Sequence, residues 1–179
     1  PNRAGAGILH REPWESPMQG HCTCGEIAYR LAEAPLVVHC CHCTWCQRET
    51  GSAFALNALI ETRHIKLLSG RPGERLVPSA SGKGQTMVGC ATCGCTLWSH
   101  YTGAGRGFAF VRAGTLVDAA RITPDVHIYT TTAHPWITFP EGAQVFPEYY
   151  RRSTTWRPEA LARREAELER LAQEQQQQQ

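Results

Sequence analysis

The sequence predicts a mainly β, metal-binding domain followed by a C-terminal helix, and three observations support this. Short apolar segments alternate with turn signals at Ser69-Gly70, Arg71-Pro72-Gly73 and Ser81-Gly82-Lys83-Gly84, a pattern typical of short strands. Nine cysteines cluster as C-x-C and C-x-x-C, which favours metal ligation over a disulfide framework. Strong helix formers dominate the sequence after Pro158.

The strands follow from alternation and from apolar runs. Ile27, Tyr29 and Leu31 alternate with other residues and predict a half-buried strand. Pro35–Cys41 predicts a second strand, and Ala53–Ile60 a third that is covered on both faces. The shorter strand candidates are His64–Leu68, Arg75–Val77, Gln85–Gly89, Thr96–Ser99 and Gly107–Arg112.

Three segments are expected along the chain. Residues 1–19 form an irregular arm, rich in Gly and Pro and without the apolar run of a secretory signal. Residues 20–150 form the zinc domain, and residues 151–179 a helical tail that ends in a glutamine tract. The thin apolar stripe of this helix favours a solvated helix, with a docking helix as the alternative, and Gln175–Gln179 is expected to be disordered.

Charge and hydropathy argue against two classes of partner. The net charge is +2 and the basic residues are scattered, so a nucleic-acid partner is not expected. No run reaches the length of a membrane span. Free cysteines at metal-site spacing predict a reducing compartment, and we expect the cytoplasm.

Four cysteines have the spacing of a closed metal site. Cys22 and Cys24 place both thiols on one side of a strand, and Gly25 permits a sharp turn after them. Cys90 and Cys93 form a C-x-x-C-G knuckle. Four thiolates complete a tetrahedral zinc site, which would tie the N-terminal strand to a distant one.

Three further cysteines have the spacing of an open site. Cys41 and Cys43 share one face of an extended segment, and Cys46 follows at knuckle spacing. Three protein ligands are typical of a catalytic zinc and four of a structural zinc. The sequence leaves both alternatives open, because a fourth ligand is available from His39, His64 or Cys95.

Two residues fall on the opposite face of that extended segment. We expect Cys40 to act as a small buried hydrophobe. We expect His42 to be satisfied by a hydrogen bond rather than by a metal ion.

These motifs, in this order, resemble those of the glutathione-dependent formaldehyde-activating enzymes, a family that includes centromere protein V. The resemblance covers about Gly20 to Pro147. It is carried by the stretches GHCTCGEIAY, CHCTWCQRETGSAF, CATCG and HIYTTTAHPW. Cys95 departs from the pattern, which more often has a small or hydroxyl residue there, and Cys40 adds a thiol beside the C-H-C-x-x-C motif.

The resemblance implies a β-tent zinc-binding domain of short antiparallel strands with two zinc ions. It assigns a structural zinc to Cys22, Cys24, Cys90 and Cys93, and a catalytic zinc to Cys41, Cys43 and Cys46. The implied activity is that of S-(hydroxymethyl)glutathione synthase, a carbon–sulfur lyase. Its partners are a small thiol such as glutathione and a small aldehyde such as formaldehyde.

Residues near the catalytic cysteines are candidates for binding the substrate. Arg48 could pair with a carboxylate of glutathione, and backbone N–H groups near Thr50, Gly51 and Ser52 could cradle one. His127 is the first choice for a proton carrier. Otherwise His127 and Trp136 are typical core residues. Trp45 is expected to pack over the metal, with a wall of the substrate site as the alternative.

A non-catalytic function is the alternative. The chain could be a two-zinc module that binds a protein partner in the manner of centromere protein V. Such binding is expected to use a basic extension, whereas the arm before Gly20 contains two arginines and no lysine. The sequence leaves the oligomeric state open.

Overall fold

A computed structural model describes residues 17–79 and 81–177. The prediction of a mainly β fold with a C-terminal helix is confirmed. The strands within the described residues are β1 Met18–His21, β2 Ala28–Leu31, β3 Val37–Cys41, β4 Ala55–Glu61, β5 Ile65–Ser69, β6 Gly73–Val77, β7 Gln85–Gly89, β8 Thr96–Tyr101, β9 Phe108–Arg112, β10 Val126–Ile128 and β11 Gln144–Val145. The helices are α1 Thr44–Thr50, α2 Arg152–Thr155 and α3 Pro158–Gln177.

The strands form two sheets. The smaller sheet has the order β1-β2-β5, and the larger has the order β11-β10-β3-β4-β9-β8-β7-β6. Pairing is antiparallel except at β10, which runs parallel to both β3 and β11. A parallel pair requires a long connection, and the chain supplies one because everything from α1 to β9 lies between β3 and β10.

Strand β4 lies at the centre of the packing. Ala58 and Ile60 belong to one apolar core, whereas Ala55 and Leu59 belong to another on the opposite face. This agrees with the prediction that the strand is covered on both faces. The second core also contains Cys41 and Cys46, so the face of the sheet that carries these cysteines is the face against which the tail packs.

The tail helix α3 is docked on the sheet, so the expectation of a solvated helix is wrong. Arg163 makes a two-pronged ion pair with fully buried Glu61 on β4, with N–O distances of 3.0 and 2.6 Å. Its Nη1 also donates to the carbonyl oxygen of Ala34 at 2.8 Å. Ala160, on the same helix, is buried in the second core. The apolar stripe of the helix is thin, and ion pairing with buried Glu61 supplies part of the contact between the helix and the sheet.

The two ends of the chain differ in part from expectation. Residues 1–16 and 178–179 lie outside the described residues, but β1 begins at Met18, inside the segment expected to be irregular. It pairs with β2, where a Cβ at Gly20 would lie 2.5 Å from the Tyr29 ring, so this close approach requires glycine. At the other end, α3 continues through Gln177, inside the tract expected to be disordered. None of the described helices is long and apolar enough to span a membrane.

Candidate metal centres and active site

The first cysteine group brings together two segments that are distant along the chain. Cys22 and Cys24 follow β1, and Cys90 and Cys93 lie in the turn between β7 and β8. Their four Sγ atoms lie within 4.8 Å of one another. Each pair is followed by a glycine in the left-handed region, Gly25 at φ +78° and Gly94 at φ +72°, which turns the chain back.

The sulfur spacing in this four-cysteine group fits a tetrahedral zinc ion. The Sγ of Cys24 lies 3.5 Å from that of Cys22 and 3.7 Å from that of Cys90. A Zn–S bond of about 2.3 Å and tetrahedral angles place ligand sulfurs about 3.8 Å apart. The backbone N–H of Ile27 also donates to the Sγ of Cys22 at 3.3 Å, which stabilises negative charge on that sulfur.

The second group, here called the Cys41 trio, consists of Cys41, Cys43 and Cys46. Cys41 ends β3, Cys43 is the N-cap of α1, and Cys46 lies in the first turn of that helix. Their Sγ atoms lie within 4.8 Å of one another. The N–H of Cys46 donates to the Sγ of Cys43 at 3.4 Å, as a helix N-terminus does to an N-cap side chain. The trio therefore places three sulfurs at one helix end.

The three thiols of the trio differ in pKa. Hydrogen bonds from Cys41 and Cys46 hold the pKa of the Cys43 thiol well below its usual range, and the same crowding raises the pKa of Cys41. Negative charge is thus stabilised on the Cys43 sulfur. A soft divalent cation there would stabilise all three as thiolates.

No fourth ligand completes the trio within the described part of the chain. His39 is bound elsewhere, with its Nε2 2.7 Å from the hydroxyl oxygen of Tyr150. Burial lowers the pKa of His39 to about 4. His64 lies in the turn before β5, and the Sγ of Cys95 lies 3.8 Å from the carbonyl oxygen of Thr96. The three sequence candidates for a fourth ligand are therefore not grouped with the trio.

A pocket of about 290 Å³ adjoins the trio, with Cys46 in its wall. Helix α1 contributes one side and strands β7, β8 and β9 contribute another. The other lining residues are Trp45, Arg48, Glu49, Val77, Pro78, Ser79, Gln85, Tyr101 and Arg112. A small molecule in this pocket would lie against Cys46, one of the three cysteines of the trio.

Two lining residues, Arg112 and Tyr101, provide the pocket with a buried cation and a hydroxyl proton donor. Arg112 is only 9% exposed, and its Nη1 donates to the Oδ1 of Asn57 at 2.7 Å, a neutral partner. A buried guanidinium held this way favours an anion nearby. Burial, together with the trio thiols, raises the pKa of the Tyr101 hydroxyl, which therefore remains a proton donor at neutral pH. Sequence reasoning missed both residues, since each ends a strand far along the chain from the trio.

Of the residues predicted to bind substrate, Arg48 lines the pocket. The backbone N–H groups of Gly51 and Ser52 both donate to the carbonyl oxygen of Gln47, and the Thr50 hydroxyl donates to that of Cys46. These groups cap the C-terminus of α1, and Gly51 adopts φ +61° to do so. The N–H groups of Gly51 and Ser52, which were predicted to bind a carboxylate of the substrate, are therefore used in the helix cap. A role of these three residues in substrate binding stays a prediction.

Three other aromatic expectations have different outcomes. Trp45 is 42% exposed at the pocket, so it forms a wall rather than a buried cap. Trp136 is 70% exposed, and its assignment to the core was wrong. His127 is buried beside His42, on the face of β3 opposite the trio, so it is not placed to carry protons there.

Comparison with known proteins agrees with the motifs. A model of the family described as glutathione-dependent formaldehyde-activating enzyme matches residues 17–132. No curated protein matches the chain. A crystal structure of a Rhodobacter sphaeroides protein from a structural-genomics programme is 16% identical, with 72% of this chain and 99% of that chain covered and a TM-score of 0.42. That likeness is too weak to support a conclusion. Because the family model spans most of the chain and both cysteine groups, this protein belongs to the glutathione-dependent formaldehyde-activating enzyme family.

Proposed function

We propose that this protein is a zinc-dependent enzyme of the carbon–sulfur lyase type that joins a small thiol to a small aldehyde. Glutathione and formaldehyde, the substrates implied by the family, are the proposed pair. The observation that carries the proposal is the Cys41 trio, whose three sulfurs converge and whose Cys46 lines a pocket. A closed structural site would have four protein ligands, whereas no fourth is grouped with the trio among the described residues.

The donor set of the trio fits zinc, and we propose that Cys41, Cys43 and Cys46 hold it. A zinc ion bound by three thiolates would supply Lewis acidity and would lower the pKa of a thiol at its free position. We propose that the four-cysteine group holds a second, structural zinc ion. Cysteines in this reduced state are expected in the cytoplasm.

Two arginines suit the carboxylates of glutathione. Arg112 and Arg48 approach the pocket from β9 and α1, on different walls. Glutathione carries one carboxylate at each end, so two cations separated across a pocket match its charge distribution. Binding both ends would orient the central thiol. Its reaction with a bound aldehyde would then be effectively unimolecular.

The reaction itself needs one proton transfer. The thiol sulfur attacks the aldehyde carbon, a C–S bond forms, and the aldehyde oxygen becomes a hydroxyl that takes up the proton lost by the thiol. We propose that the Tyr101 hydroxyl donates a hydrogen bond to this oxygen, because it lines the pocket and remains protonated. The reverse reaction breaks the same C–S bond.

A panel of thiols and aldehydes tests the proposal. The zinc-loaded chain is expected to accelerate adduct formation above the uncatalysed background, and Cys43→Ser is expected to return the rate to that background. Cys95→Ser is the matched control, because Cys95 belongs to neither cysteine group. The proposal fails if no thiol–aldehyde pair is accelerated, or if Cys43→Ser retains the full rate.

A further inference from the structure

A third cluster of metal-ligating side chains lies on the face of β3 opposite the trio. Its members are Cys40, His42 and His127, here called the Cys40 cluster. Cys40 and His42 are two residues apart and so share a face of the extended segment. His127, on the parallel strand β10, pairs directly with Cys40. Strand register therefore brings one thiol and two imidazoles together.

The atoms of the Cys40 cluster converge on one point. The Nε2 of His42 lies 3.1 Å from the Nδ1 of His127 and 3.5 Å from the Sγ of Cys40. Bonds of about 2.0 Å to nitrogen and 2.3 Å to sulfur place tetrahedral ligand atoms about 3.3 Å (N–N) to 3.5 Å (N–S) apart. All three ligand atoms lie within 4.8 Å of one another. The observed distances between ligand atoms are close to those around a tetrahedral metal ion.

One hydrogen bond at the Nε2 of His42 cannot engage both of its neighbours in this cluster. The Nε2 of His42 has two close polar neighbours, but as a single atom it offers one proton or one lone pair. A cation at the centre would be bound by all three ligands at once.

The surroundings hold the cluster in place. The Phe54 and Phe139 rings lie 5.6 and 5.5 Å from the His42 ring, and Phe139 lies 5.0 Å from His127. The carbonyl oxygen of His42 accepts hydrogen bonds from Gln47 at 2.7 Å and from Thr132 at 3.0 Å, which fixes the backbone at the histidine. The backbone is thus fixed at His42, and aromatic rings pack against both histidines.

We propose that Cys40, His42 and His127 form a third metal site, separate from the two cysteine groups, for a thiophilic cation, Zn²⁺ or Cu⁺. A thiolate with two imidazoles is a donor set that suits zinc and copper and excludes hard ions such as Mg²⁺ and Ca²⁺. Cu⁺ with one thiolate leaves the buried site neutral, whereas Zn²⁺ leaves a single positive charge. Cys40 makes this a property of the present chain, since the C-H-C-x-x-C motif does not include it.

Counting bound ions by native mass spectrometry tests the site. The reduced full chain is loaded anaerobically with excess zinc, desalted and weighed. Three zinc ions per chain are expected for the wild type and two for Cys40→Ala. Cys95→Ala, which removes a cysteine outside all three groups, is the matched control and should retain three. In a second arm, one equivalent of Cu⁺ is added to the zinc-loaded protein, and a copper-specific site gives two zinc ions and one copper ion.

Two outcomes overturn the proposal. One is a wild-type chain that carries only two metal ions in both arms. A chain with one zinc ion and one copper ion, in which copper has replaced zinc, counts as this outcome. The other is a third ion that remains in Cys40→Ala. If Cys40→Ala does not fold, Cys40→Ser replaces it, and ¹¹³Cd NMR of the wild type gives an independent result. Three cadmium signals, one of them characteristic of a single sulfur with two nitrogens, are expected of a site that takes Zn²⁺, and two signals contradict the site when the copper arm also shows two ions.

Discussion

Replacing Arg112 should separate substrate recognition from support of the metal centre. Its buried guanidinium has a neutral side-chain partner in Asn57 and faces the pocket beside Cys46. A hydrogen bond to a charged group contributes about 1.5–3 kcal/mol. Because about 1.4 kcal/mol corresponds to a tenfold change in an equilibrium constant, Arg112→Met should raise the KM for glutathione by about 10- to 150-fold. Arg112→Lys keeps the charge but loses the planar fork, and should recover part of this loss.

The assay compares glutathione with 2-mercaptoethanol, a thiol that has no carboxylate. The KM for 2-mercaptoethanol should change by less than about twofold in Arg112→Met, because no charge-assisted contact is lost. Thermal denaturation controls for the Asn57 oxygen that the substitution leaves without its partner. If both thiols lose activity by the same factor, Arg112 acts as a counter-ion to the trio and the recognition argument is refuted.

Three further predictions concern the pocket, the structural site and the tail. Tyr101→Phe should lower kcat about 10- to 100-fold while zinc content is unchanged, measured by steady-state kinetics and metal analysis; an unchanged kcat contradicts a donor role. Cys90→Ser should remove one zinc ion and lower the denaturation midpoint, and full stability at reduced metal content contradicts a structural ion. Arg163→Met should lower the free energy of unfolding by about 3–5 kcal/mol in a urea titration, because it leaves the buried Glu61 carboxylate unpaired; the exposed Arg157→Met should change it by less than about 0.5 kcal/mol.

Local rules were enough to predict much of the sheet and both cysteine groupings. Alternation in Ile27, Tyr29 and Leu31 indicates a strand with one buried face, and all three residues are buried. The side-chain period of two separates Cys41 from Cys40, and the structure places them in different groups. The role of these cysteines as metal ligands stays a prediction. Their spacing along the chain explains why the sulfur atoms lie close together, but it does not show that a metal ion is bound there.

What the sequence could not supply depends on contacts between distant segments. Arg112 reaches the pocket through β9 pairing with β4, and no local pattern marks a strand-end arginine as buried. The docking of α3 rests on the pairing of Arg163 with Glu61, whereas a helix pattern shows only its own apolar stripe. The Cys40 cluster likewise depends on the parallel register of β10 with β3.

The cobalt-substituted protein provides the most direct test of an open metal site at the Cys41 trio. The difference between the visible spectra of the wild type and Cys43→Ser isolates the sulfur-to-cobalt absorption of the trio. Adding glutathione should shift this difference spectrum, because a fourth sulfur enters the free position. A difference spectrum that glutathione leaves unchanged, at concentrations that saturate any turnover, would contradict the account.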